Sequence, residues 1–469
     1  MTTPGGLSIE DELREAEREI LTRRPEHAIE PTLDRIADLV ALLGDPQRAY
    51  PVIHVTGTNG KTSTARMIES LLRARGLRTG LFTSPHLSAI RERIAVDGDP
   101  VSAEQFVASY EELAPYVALV DGRQPAPLSF FEVLTAMAFA IFADRPVDVA
   151  IVEVGLGGTW DSTNVADGAV AVVTPISLDH TRWLGDTVEQ IAAEKAGIIK
   201  PGAVAVLAQQ PVAAAEVLLR HAVSVGASVL REGIEFGVLD RDLAVGGQRL
   251  DLRGLRGEYT DILLPLFGAY QASNAAVALA AVEAFAPGGS ADQAGDGESG
   301  QLSQEIVREG FAKVTSPGRL EVVRRSPVVI VDAAHNPAGM AAAMEAVTEA
   351  FTFAALIGVL AVSEDKDVPG ILDQLEPVVS ELVVTRNSSD RSMDPAKLGE
   401  LAGGVFGPER VHVTGRLDDA IELAVGLADE ASGDEGLTRT GVLVTGSVIT
   451  AGDARVLLAG RGGEASPAE

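Results

Sequence analysis

The chain has 469 residues, more than one hydrophobic core usually sustains, so two domains are expected. It carries 38 basic and 67 acidic residues for a formal charge of −29, with 46% apolar residues, 4% aromatics and no cysteine. That balance excludes disulfides, thiolate metal sites and a cysteine nucleophile; with no Lys/Arg-rich run, it also argues against a nucleic-acid partner.

The first residues, "MTTPGGLSIEDELREAEREI", have no basic segment followed by an apolar one, so no secretory signal is expected. No apolar run reaches the roughly 18 residues of a membrane span. The expectation is a cytoplasmic chain without a membrane partner. Residues 8–24 read as an acidic amphipathic helix with a capping-box-like start at Ser8 and Asp11. A second helix is expected over 31–43, with Leu33, Ile36, Leu39, Val40 and Leu43 on one face.

From Tyr50 the pattern alternates strands and helices. "YPVIHVTG" is a short buried strand, and "GKTSTARMIESLLRARG" is a helix ending at Gly76. "VDVAIVEVG" (147–155), "AVAVVTPIS" (169–177) and "AVAVLAQQ" (203–210) are aliphatic runs suited to a parallel sheet covered on both faces. Residues 287–304 are rich in glycine, serine and acids and read as a flexible insertion. Residues 311–323 read as a hinge. A second βα series follows: strands at 327–337, 354–361, 381–387, 411–414 and 440–447, with helices through Phe351, near 417–430 and after 447. The expected fold is α/β: a large N-terminal P-loop ATPase-like domain with a mainly parallel sheet (1–314) and a smaller Rossmann-like C-terminal domain (315–469).

The chemistry-bearing residues sit where strands end. "VTGTNGKTS" (55–63) is one glycine short of G-x-x-x-x-G-K-[ST], with Val55 in the first glycine's place. Its backbone N–H groups, the helix N-terminus and Lys61 can converge on phosphate oxygens, with Thr62 near a magnesium ion. The plain alternative is a glycine turn with a surface lysine. Glu153 ends an aliphatic strand at the crevice where α/β proteins bind ligands, and either holds a metal or caps structure. Asp179, His180 and Lys195 lie in "ISLDHTRWLGDTVEQIAAEKAGIIKPG". Imidazole there suits a metal or a buried structural role, and the plain reading of Lys195 is a solvated lysine. Arg319 in "SPGRLE", and Asp332 and His335 in "DAAHNP", read equally as nucleotide contacts or as ordinary ion-pair groups.

Together these stretches resemble the folylpolyglutamate synthase and dihydrofolate synthase family, a branch of the Mur ligases. The likeness runs from about residue 31 to about 455 and includes "HVTGTNGKTS", "FTSPHL", "SFFEVLT", "EVGLGGTWDSTN", "NAAVALAA", "SPGRLE", "DAAHNP" and "VTGS". The family's loop is the shorter G-T-N-G-K type, so the resemblance implies that Asn59, Gly60, Lys61 and Thr62 cradle ATP phosphates. It implies Ser84 and Glu153 as ligands of a first magnesium ion, and His180 with a carbamylated Lys195 as ligands of a second. Lys61, His180 and Lys195 would be the catalytic set. A monovalent cation is a further expectation. Asn274, Arg319, Asp332 and His335 would complete the ATP site, and Ser129, Phe130, Phe131, Glu132, Trp160, Asp161 and Ser162 would hold the folate.

The implied reaction is ATP-dependent addition of L-glutamate to a reduced folate, and to dihydropteroate as well, through an acyl phosphate, by a monomer. Two alternatives stay open: a Mur-type ligase of UDP-linked cell-wall precursors, and a nucleotide-binding switch. The first would carry a nucleotide-sugar domain before the loop, whereas here two helices precede it. The second would not need Ser84, Glu153, His180 and Lys195 together. The family commonly has Gly at the place of Ala333, and "WDSTN" departs from its commoner versions at Trp160 and Ser162.

Overall fold

The computed structural model describes residues 8–25, 28, 30–285, 301–432 and 439–461. Its largest sheet gathers β1 (Val52–Thr56), β2 (Thr79–Phe82), β3 (Ile94–Val96), β4 (Asp99–Pro100), β5 (Val149–Glu153), β6 (Gly168–Val173), β7 (Val204–Leu207) and β8 (Ser228–Arg231). Their order is β4-β3-β2-β5-β1-β6-β7-β8, parallel except for β3 and β4. β1 lies inside, with Val55 opposite both Glu153 and Val172. The strands β1, β5 and β6 therefore deliver their following loops to one carboxyl edge, the usual ligand crevice of such sheets.

Alternate residues of the inner strands feed opposite faces. Ile53 and Val55 join a core with Ile68, Leu71 and the alanine-rich helix Ala269–Phe285. Val52 joins another with Leu134, Phe139 and Phe142 of the helix Phe130–Asp144. Small side chains let the Ala269–Phe285 helix be buried nearly all round, which is how a core is filled with so few aromatics.

β9 (Gly237–Ala244), β10 (Gly247–Arg253) and β11 (Glu258–Leu264) form a separate antiparallel sheet. Its inward residues Leu250, Leu252, Tyr259 and Ile262 join the first core. This sheet is absent from the sequence-based expectation. Its outward charges, such as Arg249 beside Asp242, broke the aliphatic signature that marked the other strands.

The second α/β unit has β12 (Glu321–Arg325), β13 (Val328–Val331), β14 (Ala355–Leu360), β15 (Glu381–Val384), β16 (Val411–Val413) and β17 (Thr440–Thr445). Their order is β12-β13-β17-β14-β15-β16, parallel except for β12. Phe267 and Tyr270 from before the linker pack against this unit's core. The α/β architecture agrees with the expectation.

Several boundaries move. The second helix is Asp34–Leu42 rather than 31–43, because the Asp34 N–H is taken by Thr32 Oγ1 at 3.1 Å. The hinge shortens to 313–320, since a helix runs to Ala312 and β12 begins at Glu321. Of the expected insertion, 287–300 lies outside the described residues. Its end is structured: Leu302 is buried and Ser303 caps the helix Gln304–Ala312. Among the described residues no helix is long and apolar enough to cross a membrane.

Candidate active site

The loop after β1 closes through two glycines. Gly57 has φ 147°, and a Cβ there would stand 1.8 Å from Thr174 Oγ1; Gly60 has φ 88° and faces Asn274 Oδ1, 2.6 Å from its would-be Cβ. No larger residue fits either position. The N–H groups of Thr58 and Asn59 donate to Pro175 O, at 3.0 and 3.4 Å, which ties the loop to the end of β6.

Two lysines converge on this loop. Lys61 Nζ donates to Gly57 O and Thr58 O at 3.1 and 3.0 Å. Lys195 Nζ, buried on the helix Val188–Ala196, donates to the same Gly57 O at 2.7 Å. Burial, reinforced by the charge of Lys61, pulls the Lys195 amine down to about 7 against the pull of Asp179, Asp161 and Glu194. Burial also lowers Lys61, opposed by Glu153 and Asp179.

Glu153, 1% exposed, accepts from Thr62 Oγ1 at 2.8 Å and from the Ser84 N–H at 3.3 Å. Burial pushes its carboxyl up, and it makes no ion pair among the described residues. A sheltered carboxylate beside the Thr62 hydroxyl, with Ser84 next to it, offers oxygen donors of the kind hard divalent cations take. Arg319 and Arg66 both bear on the charge of Glu153 or Lys61, and neither forms an ion pair among the described residues. Arg319 Nη1 donates to Gly318 O at 3.1 Å, and guanidinium groups without a carboxylate partner suit an anion.

A second cluster bridges the lobes. Asp179 accepts from Lys366 Nζ at 2.6 Å and Asn336 Nδ2 at 3.0 Å, with His335 Nε2 at 3.3 Å and His180 Nε2 at 3.9 Å. Burial works to raise the Asp179 carboxyl, but the hydrogen bond from His335 and the charges of His335, His180 and Lys366 outweigh it and hold it low. Burial pulls His180 down to about 3, so its imidazole is neutral and free to ligate. Donor atoms of Asp179, His180 and His335 lie within 4.8 Å of one another. Asn59 and Asn336 exchange side-chain hydrogen bonds at 3.1 and 3.2 Å, so the loop itself touches the second lobe. A cavity of about 40 Å³ lies between Gly57, Lys61, Asp179, His180, Lys195 and His335, room for an ion or a few oxygen atoms.

A larger cleft of about 470 Å³ opens beside it. Ser129, Phe131, Glu132, Trp160, Asp161 and Ser162 line one wall; Ser363, Lys366, Arg391 and Ser447 line the other. Phe130 is a correction: it is buried beneath Arg93, 5.0 Å from its ring, and does not line the cleft. It points into the core while Phe131 reaches the cleft because successive residues of the helix Phe130–Asp144 are rotated by about 100°.

Some expected ligand groups are already engaged. Glu132 is paired with Arg35 Nε at 3.0 Å and caps the Ser129 N–H at 2.7 Å. Asp161 accepts from the N–H groups of Leu156 and Thr163, and burial lifts its carboxyl to about 6. Asp332 accepts from the N–H groups of Leu320 and Ala334, and so pins the linker to the end of β13. Asn274 packs against Gly60, and His335 Nδ1 lies 2.9 Å from Ala333 O. Ala333 is absent from the positive-φ residues, so its methyl is accommodated.

Sequence reasoning missed Asn336, Lys366, Arg24, Arg35 and Trp183. Asn336 had a signal, since it precedes a proline that opens the helix Pro337–Ala350. Lys366 had none, because its partner Asp179 lies 187 positions away in sequence.

Comparison with known proteins follows the same division. The Mur ligase middle domain matches residues 55–282, and the Mur ligase glutamate ligase domain matches 318–448. The dihydrofolate synthase/folylpolyglutamate synthase of Mycobacterium tuberculosis is 52% identical over 453 residues, covering 93% of this chain and 91% of the relative. The structure of Mycobacterium tuberculosis folylpolyglutamate synthase complexed with ADP and AMPPCP superposes with a TM-score of 0.89 at 51% identity, covering 96% of this chain and 99% of that one. A solved FPGS–AMPPCP–folate complex gives 0.77 at 30% identity over 94% and 98%.

Proposed function

This chain belongs to the Mur ligase family, in the branch of the folylpolyglutamate and dihydrofolate synthases, and we propose how its residues perform that branch's chemistry. It is an ATP-dependent carbon–nitrogen ligase that joins L-glutamate to a folate. The cell-wall and switch alternatives give way to that conclusion. In our reading it also accepts dihydropteroate, as the double name of its Mycobacterium tuberculosis relative suggests. We take it to work as a cytoplasmic monomer, without nucleic acid or membrane, since one chain carries every group invoked below.

We assign 1–314 to ATP and folate binding, and 315–469 to glutamate binding and completion of the ATP site. Asn59, Gly60, Lys61 and Thr62 hold the phosphates from one side, and Arg319 does so from the other. Asn274 stands behind the loop, while Asp332 shapes the linker and His335 faces the phosphate end. Thr62, Ser84 and Glu153 are the groups that would hold a first Mg2+. His180, with Lys195 carrying a carbamate, would hold a second, and a monovalent cation is the remaining expectation. Bound there, Mg2+ supplies charge that offsets the repulsion between triphosphate and carboxylate.

The residues fit that loading. Glu153 is buried and in no ion pair among the described residues, and an amine pulled to about 7 is substantially unprotonated at neutral pH, as carbamate formation requires. Ser129, Phe131, Trp160, Asp161 and Ser162 then flank the folate, Phe131 by its ring and Asp161 by the shape it gives the Leu156–Thr163 turn.

Lys61 and Arg319 stabilise the phosphoryl group as the folate carboxylate attacks it in line, leaving an acyl phosphate and ADP. The amine of glutamate, entering from the wall of Ser363, Arg391 and Ser447, attacks the acyl carbon and phosphate departs. The clasp of Asn59, Asp179, Asn336 and Lys366 shields the acyl phosphate from water. The observation that carries this reading is the meeting of Lys61 and Lys195 on Gly57 O, with the charge of the buried Glu153 bearing on Lys61. Lys61→Ala is expected to fold normally yet lose amide synthesis by at least roughly a hundredfold. Near-normal turnover in the folded variant would reject the loop assignment. Product masses obtained with dihydropteroate and with reduced folate, offered separately, test whether both activities are present.

A further inference from the structure

Behind the nucleotide loop runs a buried polar relay that none of the roles above uses. Asn274 Nδ2 donates to Gln271 Oε1 at 3.0 Å, and Gln271 Nε2 donates to Ser63 Oγ at 3.3 Å. The hydroxyls of Ser63 and Ser316, 253 positions apart in sequence, lie 2.9 Å from each other. Because Ser63 accepts from Gln271, its own hydrogen is free for Ser316. All four residues are at most 6% exposed. A connected network of buried hydrogen bonds rigidifies what it joins.

Each end bears on the site. Asn274 backs Gly60, 2.6 Å from where a Cβ would stand. Ser316 begins the turn that carries Arg319, whose N–H donates to Ser316 O at 3.2 Å. Beyond Ser316 the linker is fixed to the second lobe, through the Gly318 N–H on Glu321 and the Leu320 N–H on Asp332. Among the described residues Ser316 is thus the linker's last side-chain hydrogen bond to the first lobe, beyond which Leu87 only packs near Gly318. Arg319 Nη1 donates to Gly318 O at 3.1 Å, and its charge is felt at both Lys61 and Glu153.

We propose that Ser316 is a positioning residue: through Ser63 it registers the linker against the nucleotide helix and so holds Arg319 over the ATP phosphates. The proposal rests on the assignment of the loop to ATP. Its test is a double-mutant cycle in the full chain, reading KM for ATP and kcat for amide formation. Ser316→Ala is expected to raise KM for ATP by roughly five- to tenfold, with kcat at saturating ATP changed less than about threefold. In an Arg319→Ala background the same change should move KM less than about twofold, because the group it positions is gone. Ser316→Thr, which keeps a hydroxyl, should recover most of the loss.

An unmoved KM in folded Ser316→Ala, or an equal rise in both backgrounds, overturns the proposal. If Ser316→Ala does not fold, Ser63→Ala is judged by the same two comparisons. ATP binding to Lys61→Ala, read by calorimetry, separates the two failures. Binding as tight as in the unaltered chain removes the loop assignment, whereas weakened binding there with an unmoved KM in Ser316→Ala removes the relay alone.

Discussion

Lys195 is a buried amine whose acceptor is the Gly57 carbonyl at 2.7 Å, with Lys61 reaching for the same atom at 3.1 Å. Burial first, and then the like charge of Lys61 on the same carbonyl, favour the uncharged form of Lys195, pulled from 10.5 to about 7. The sign for stability follows. Between about 7 and 10.5 the unfolded chain binds a proton that the folded chain does not, so this contribution is complete above 10.5 and is lost as pH falls to 7. In bicarbonate-free buffer, Lys195→Met should therefore lose less Tm than the unaltered chain between pH 10 and pH 7. Parallel curves would contradict the burial argument. In assays Lys195→Ala should be inactive and regain part of its turnover with acetate or formate; an active variant would remove the need for a carbamate. The sequence alone made Lys195 an ordinary surface lysine. Only its place in the "EKAG" pattern pointed inward, since burial is a property of the fold and not of the residue.

The loop after β1 is held by the end of β6 as well as by its own Lys61. Gly57 is pressed against Thr174 of β6, so Gly57→Ala combines φ strain with a 1.8 Å clash and should destabilise by about 3 kcal/mol. Gly76→Ala meets nothing within 4 Å and should cost about 1 kcal/mol for its positive φ alone. Denaturant midpoints distinguish the two; equal shifts would mean that the packing against Thr174 is not the constraint. The aliphatic strands on either side of this loop were legible because parallel strands covered on both faces read as continuous Val/Ile/Ala runs. β9 to β11 were not, because one face is solvated and its charges break the run. Phe130 and Phe131 illustrate the same limit in a helix: adjacent aromatics look equivalent in sequence, yet one enters the core and the other the cleft.

Among the described residues the two lobes meet at the Ser316 linker, at Phe267 and Tyr270 on one core of the second unit and Leu87 on the other, at the Arg241–Glu349 ion pair and at the Asn59–Asp179–Asn336–Lys366 clasp. Of these, the clasp lies at the small cavity itself. Asn336→Asp keeps the helix cap but removes the amide donor and sets a carboxylate beside Asp179. It should loosen closure and let the acyl phosphate meet water, so that phosphate release exceeds amide formation by about twofold or more. An unchanged ratio of one to one would show that the clasp does not guard the intermediate. Residues such as Asn336 and Lys366 could not be paired from sequence, because what joins them is the docking of two domains. The central claim is that the cleft between those domains phosphorylates the acceptor carboxyl before glutamate arrives. Supplying a reduced folate labelled with 18O in its terminal carboxyl, and weighing the phosphate released, tests it most directly. One 18O in each phosphate per amide formed is the predicted result; phosphate free of label would contradict it.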